Sequence, residues 1–231
     1  MRVLVLAAHS DDEVLGCGGT IARLAADGAD VYIAILGEGI TSRFAARQDA
    51  DAGMVAALQE RSRQVASLLG ARELFLYGLP DNRFDSVPLL EVVKIIEDLV
   101  DRLRPEVVFT QHGGDLNVDH VVLYRATLTA TRPQEGAAVR DVYAYEVASS
   151  TEWAFQQFEP RFTPSVFFEI ENTLATKIEA MQLYESEARA FPHPRSPESL
   201  RASAVRWGSV AGLRAAEAFH LVRSVRPAGA S

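Results

Sequence analysis

Short apolar runs alternate with longer amphipathic stretches along most of the chain. Val3-Leu4-Val5-Leu6-Ala7-Ala8, Val31 to Leu36, Leu74 to Tyr77 and Val107 to Thr110 are too short for helices and predict buried strands of a parallel sheet. Between them, Val14 to Ala26 predicts a helix closed by Asp27-Gly28. A long helix is expected within Ala45 to Leu69, another from Leu89 to Leu103 before Pro105, and a further one beginning near Val121. This order of βαβ units implies an α/β, Rossmann-like fold with a mostly parallel β-sheet flanked by helices and right-handed crossovers. Beyond Arg140 the pattern loosens. Strands are expected at Val142 to Tyr145 and Ser165 to Phe168, and helices near Thr173 to Ala188 and Ser199 to Phe219.

Polar clusters at two strand ends change the picture from fold to chemistry. His9-Ser10-Asp11-Asp12-Glu13 follows the first strand directly, and in open α/β sheets ligands sit beyond the carboxyl ends of the strands. An imidazole and three carboxylates in five positions repel one another less when a cation joins them. Capping of the next helix explains one or two acids, but not all three beside a His. The fourth strand is followed by Gln111-His112-Gly113-Gly114-Asp115-Leu116-Asn117-Val118-Asp119-His120, which places His120 on the first turn of a helix. Three of the five histidines lie at these two strand ends. A metal site is the reading that accounts for both clusters, because His with carboxylate holds zinc while leaving a position open.

Composition limits the alternatives. The 231 residues suffice for one sizeable core, and 48% hydrophobic with 23% charged residues is ordinary for a soluble globular protein. A net charge of −8 argues against sequence-independent nucleic-acid binding and against docking on anionic membranes. Cys17 is the only cysteine, so no internal disulfide forms, which is consistent with a cytoplasmic location. The N-terminal apolar run is too short for a signal peptide, and no stretch approaches an integral membrane segment. Gly16, Gly18 and Gly19 do not form a dinucleotide fingerprint. They fall inside the first helix, and the strand–helix turn itself is filled with carboxylates that repel phosphate.

The run AHSDDEVLGCGGT resembles the first motif of the LmbE/PIG-L zinc-dependent N-deacetylases, HGGDLNVDH resembles their second, and Arg206-Trp207-Gly208 through Phe219 resembles the family's ending. The resemblance implies one LmbE-like deacetylase domain over residues 1–231, with a core at 1–135 carrying both metal motifs and a C-terminal part at 136–231 completing the pocket. It implies His9, Asp12 and His120 as metal ligands, Asp11 as general base, and one Zn2+ per chain, with Fe2+ the alternative that His₂Asp ligation also suits. The implied substrate is a small molecule, an N-acetylated amino sugar of N-acetylglucosamine type. Relatives form dimers to hexamers, so a homo-oligomer is compatible with it.

Two positions depart from the family pattern. Ser10 replaces a Pro that supplies only a backbone turn. Asn117 stands where many members carry an oxyanion-stabilising His, and the loss of one oxyanion donor costs roughly 3–4 kcal/mol of transition-state stabilisation. His193, in the proline-bounded Phe191-Pro192-His193-Pro194-Arg195-Ser196, is the candidate replacement. Such a loop can bring an imidazole and a guanidinium over the site; a solvated surface His is the equal alternative. His112 either lines the pocket or satisfies its loop, and His220 is expected to be structural. For substrate contacts the candidates are Arg43, Asp81 (or Asp85, within a Pro-Asp-Asn turn) and Glu146, with Trp153 either a sugar platform or core. Three functions follow. One is hydrolysis of an amino-sugar N-acetyl group. The second is metal-dependent cleavage of a non-sugar amide in natural-product biosynthesis. The third is a weakly catalytic sugar-binding relative.

Overall fold

A computed structural model describes residues 1–44, 49, 51–226 and 228. Seven strands form one sheet: β1 (Arg2–Ala7), β2 (Asp30–Gly37), β3 (Glu73–Leu79), β4 (Val107–Gln111), β5 (Asp141–Tyr145), β6 (Val166–Glu169) and β7 (Ala216–Ser224). Their spatial order is β3-β2-β1-β4-β5-β7-β6. The first five strands are parallel, while β7 runs antiparallel to both β5 and β6. The helices are α1 (Asp12–Ala26), α2 (Ala52–Leu68), α3 (Leu89–Leu103), α4 (Val118–Ala130), α5 (Leu174–Leu183) and α6 (Pro197–Ala211). The Rossmann-like, mostly parallel sheet is therefore as the hydrophobic pattern predicts.

Alternation along β1 divides the core. Val3, Val5 and Ala7 pack with α1, α2 and β7 residues on one face, and Leu4, Leu6 and Ala8 pack with α3 and α4 on the other. Strand order reverses between β1 and β4, so the loops leaving these two neighbours open a crevice at the carboxyl edge. Both polar motifs lie in those loops and in the first turns of the helices that follow them.

Close packing at this edge needs a glycine in α1. A Cβ on Gly16 would stand 2.0 Å from the ring of Tyr145, whose hydroxyl donates to the Leu6 carbonyl at 2.7 Å. Gly16 thus serves helix–sheet packing, and Gly19 a close approach of α1 to Ile170.

The C-terminal expectation needs correction. The helix predicted over Ser199 to Phe219 ends at Ala211, where Gly212 adopts φ 73° and caps it. Ala216 to Phe219 then enters the sheet as β7 between β5 and β6. Ala-Glu-Ala-Phe favours a helix locally, and two flanking ladders override that preference. Likewise α5 stops at Leu183 instead of Ala188. The expected α2 start at residues 45–48 and 50 lies outside the described residues. Among the described residues, no helix is long and apolar enough to cross a membrane.

Candidate metal centre

His9 follows β1 in a tight turn whose last residue before α1 is Asp11, held at φ 112° and ψ −28°. A non-glycine residue there costs on the order of 1–3 kcal/mol and persists only where its surroundings over-determine it. The Asp11 carbonyl accepts from Val14 and Leu15 at 3.0 and 2.8 Å. Its N–H donates to Glu13 Oε2 at 3.1 Å. Its carboxylate makes no capping bond to α1 and instead accepts from Arg195 Nη1 at 2.6 Å. The Asp11 carboxylate is therefore not spent on capping, while Glu13 accepts from the N–H of the N-cap residue. Across the crevice, Asn117 caps α4 by accepting from the Asp119 N–H at 2.9 Å, which sets His120 in the first turn.

Asp12 Oδ2 is the hub. It accepts from the His9 N–H at 2.8 Å and from Gln111 Nε2 at 2.8 Å. It also lies 3.3 Å from His9 Nδ1 and 3.3 Å from His120 Nε2. His9, Asp12 and His120 each offer one ligand atom within 4.8 Å of the others. His9 gives Nε2 to Asp119 Oδ2 at 2.9 Å, and Asp119 is itself fixed by the Phe84 N–H at 2.8 Å. His120 Nδ1 lies 3.1 Å from Asp115 Oδ1. Carboxylates behind imidazoles orient them and raise their basicity.

Two donor sets share His9, the second being His9, Asp81 and Asp119. With Nε2 facing Asp119, Nδ1 remains for the Asp12–His120 group, which we take as the metal set. Its chemistry fits a divalent cation. Both ring nitrogens of His120 are buried without an aligned hydrogen bond, although carboxylate oxygens stand close. Burial would lower the His120 pKa, but Asp12 and Asp115 push it up to about 9. Burial is likewise outweighed at His9, which Asp119 and Asp12 raise, and at Asp12, which the two imidazoles hold well below the carboxylate range. Two imidazoles and a carboxylate are a common zinc donor set, and they also suit iron(II).

Asp11 stands beside this group, almost fully buried. Burial raises its pKa, Arg195 opposes the shift, and Asp12 adds to it. Glu13 accepts from Tyr184 Oη at 2.6 Å, and burial carries its pKa to about 7.

The remaining predicted residues are scattered. Asp81 reaches the site's edge, with Oδ1 3.4 Å from His9 Nε2 and Oδ2 accepting from the Ser42 N–H at 2.9 Å. The Asn117 amide donates to Asn82 Oδ1 at 2.9 Å. Arg43 pairs with Glu187. Glu146 accepts from Trp207 Nε1 at 2.5 Å and lines a separate cavity of about 280 Å³ with Lys177 and Glu217. His193 touches none of the metal group: its Nδ1 accepts from the Arg195 N–H at 3.2 Å and its ring lies edge-on to Trp153, itself surface-exposed. His112 is fully buried, accepts from the Gly114 N–H at 3.1 Å, and packs on Phe162 and His220.

Three functional groups escape the sequence reading. Gln111 and Asp115 lie within the second polar run, where their spacing to His120 was the available signal. Arg195 is the guanidinium that the proline-bounded loop was expected to bring over the site, though its partner Asp11 was not foreseen. Glu187 gave no signal, because its partners Arg43 and Arg195 are brought to it by the fold.

Known proteins share this arrangement of chain. An inositol-linked acetamido-deoxyglucopyranoside deacetylase of Rhodococcus erythropolis is 31% identical over 163 residues, 59% of this chain and 55% of that enzyme. The chain thus spans about half the length of that relative. The solved N,N'-diacetylchitobiose deacetylase of Pyrococcus horikoshii superposes with a TM-score of 0.75 at 18% identity, covering 96% of this chain and 84% of that one. The hydratase GalB of Pseudomonas putida, which acts on 4-carboxy-2-hydroxymuconate, superposes equally well at 0.75, with 21% identity and 100% and 99% coverage. Such likenesses establish the fold and leave the chemistry to the site. The sequence profile described as PIG-L, GlcNAc-PI de-N-acetylase, matches residues 4–131, more than half of the chain and both metal motifs, and the chain belongs to that family.

Proposed function

We propose that this protein is a zinc-dependent N-deacetylase that removes the acetyl group from an N-acetylglucosamine-type amino sugar, releasing acetate and a free amine. The observation that carries the reading is the convergence of His9, Asp12 and His120 with an unliganded carboxylate, Asp11, on the adjacent residue. A zinc ion held by the three ligands supplies an electrophile for the amide carbonyl and acidifies water toward a pKa of about 7.

The chain's own groups do the proton work. Asp11 Oδ2 is engaged by Arg195, which leaves Oδ1 to take a proton from the attacking water. Burial raises the Asp11 pKa, which makes its carboxylate a stronger base. Asp11 then hands the proton to the departing nitrogen as the carbon–nitrogen bond breaks, so that water's oxygen ends in acetate and its protons are shared between the products. Asp119 and Asp115 hold the two imidazoles in register. Asp81, at the edge of the group, is the substrate contact we favour for a sugar hydroxyl. Arg43, Glu146, Asn117 and His193 are already bonded within the protein, as is Asp81 through Ser42 and Asn82, so direct contact of any of them with substrate requires those bonds to exchange.

GalB shares the fold, but the pairing of both motifs with a 31% identical deacetylase favours amide hydrolysis over hydration. Elemental analysis is expected to find one zinc per chain. Acetate release from N,N'-diacetylchitobiose and an N-acetylglucosaminyl-inositol is expected to vanish on chelation and return with zinc. Asp11→Ala keeps the metal and loses turnover. Stoichiometric metal without acetate from any amino sugar would shift the reading to a non-sugar amide or to sugar binding; absence of metal would sink it.

A further inference from the structure

Among the described residues, Arg195 is the one cation in contact with the carboxylate assigned as base, and its setting is more elaborate than a surface ion pair needs. Nη1 donates to Asp11 Oδ2 at 2.6 Å and to Glu187 Oε2 at 3.2 Å. Nε donates to Ser149 Oγ at 2.8 Å. The backbone of Arg195 is fixed on both sides: its N–H is held by His193 Nδ1, and the next residue, Ser196, caps α6 by accepting from the Ser199 N–H at 3.1 Å. Glu187 is in turn held by Arg43. The neighbours of Ser149 matter too, because Ser150 and Thr151 both donate to Asp115, the carboxylate behind His120.

The Asp11 backbone has no freedom left, since its carbonyl and N–H are both committed to the start of α1. Rotation of the side chain is the remaining variable, and one carboxylate oxygen is tied to a guanidinium whose own direction is set by two other acceptors, Glu187 and Ser149. We propose that Arg195 is the positioning residue for Asp11: it fixes which carboxylate oxygen faces the reacting water and amide. The inference rests on the reading of Asp11 as base. The planar fork of Arg meets the three acceptors at fixed directions, and a Lys ammonium in its place is a point charge on a flexible stem. On the same geometry His193 acts at one remove, by bracing the turn that delivers Arg195.

The test compares Arg195→Ala, Arg195→Lys and Asp11→Ala in the zinc-loaded protein, using N,N'-diacetylchitobiose, and solves the Arg195→Ala structure. Misplacement of a reacting group by about 1 Å costs on the order of 10²-fold. Arg195→Ala is therefore expected to keep one metal per chain and a KM within about threefold, with kcat lowered about 10²-fold. Arg195→Lys should recover only part of that loss. The Arg195 side chain is 21% exposed, so guanidinium ion added to solution can enter the space left by Ala and restore part of the kcat, while Asp11→Ala gains nothing. In the Arg195→Ala structure the Asp11 carboxylate should be rotated or spread over orientations, with His9, Asp12 and His120 in place.

An unchanged kcat, or an Asp11 carboxylate that keeps its orientation without Arg195, overturns the proposal. So does a raised KM with kcat intact, which makes Arg195 a substrate contact, and so does metal loss that neither Lys nor guanidinium repairs, which makes it structural. The base assignment fails separately: a fully active Asp11→Ala removes it whatever Arg195 does. If Asp11→Ala is inert and Arg195→Ala is unaffected in rate and structure, only the positioning role is lost.

Discussion

His112 and His120 stand eight residues apart in one polar run, both buried, and the fold drives them in opposite directions. Asp12 and Asp115 face His120 and push its pKa up to about 9. Around His112 stand Phe162, Tyr124 and His220, and burial, with His220 adding to it, lowers its pKa to about 4. A cation is welcome at the first position and unwelcome at the second. Residue type alone therefore does not make a metal ligand; the carboxylates that gather around it do.

The largest effect expected from this contrast is at the ligands themselves. His120→Ala is expected to abolish stoichiometric metal binding and lower acetate release by on the order of 10³-fold or more. His112→Asn retains an acceptor for the Gly114 N–H and should keep the metal. Metal analysis of both variants decides the matter: loss of metal from His112→Asn, or its retention in His120→Ala, breaks the comparison.

A step smaller is Asp115. It is buried, and although burial raises its pKa, His120 with Ser150 and Thr151 holds it below the usual range. Its role is to aim the ring behind which it stands. Asp115→Asn is therefore expected to weaken metal affinity or turnover by about 10–100-fold, read by chelator competition and by kcat. The same change at Asp85, exposed on its turn, should do neither. An Asp115→Asn protein with unaltered affinity and rate would mean that Asp12 alone creates the cation preference at His120.

How much of this was legible beforehand follows the range of the interactions. β1 to β4 and the helices between them read directly from apolar runs and their punctuation, and the metal triad read from two local motifs at strand ends. What failed was non-local. Ala216 to Phe219 carries a helix-like composition, and nothing in it announces that β5 and β6 will hold it as a strand. Arg43 and Glu146 looked free as a sequence, yet Glu187 and Trp207, distant along the chain, occupy them. Arg195 was expected over the site from its loop, but its specific bond to Asp11, spanning 184 positions, was not. Asn117 could be read as an oxyanion donor, but its position at the start of α4 makes it a helix cap first.

The smallest effect is one of stability with pH, and it sharpens the contrast because the two histidines carry opposite signs. In the metal-free protein, His120 is raised, so its contribution is fully present below pH 6.5 and is lost as pH rises through about 9. His112 is depressed. Above pH 6.5 it is neutral in both folded and unfolded chains and costs nothing. As pH falls from 6.5 toward 4 the unfolded chain takes up a proton that the folded one refuses, so stability declines across that window. A shift of this size amounts to at most about 3 kcal/mol at the acid end. Urea unfolding of metal-free wild-type and His112→Asn protein between pH 7 and 4.5 isolates the contribution. The two proteins differ only at residue 112, so the difference between the two stability curves reports that residue and its electrostatic contact with Asp115. That difference should move in favour of the variant as pH falls. Parallel curves would mean that His112 takes up its proton in the folded state, and that its aromatic surroundings accept a charge as readily as the carboxylates around His120 do.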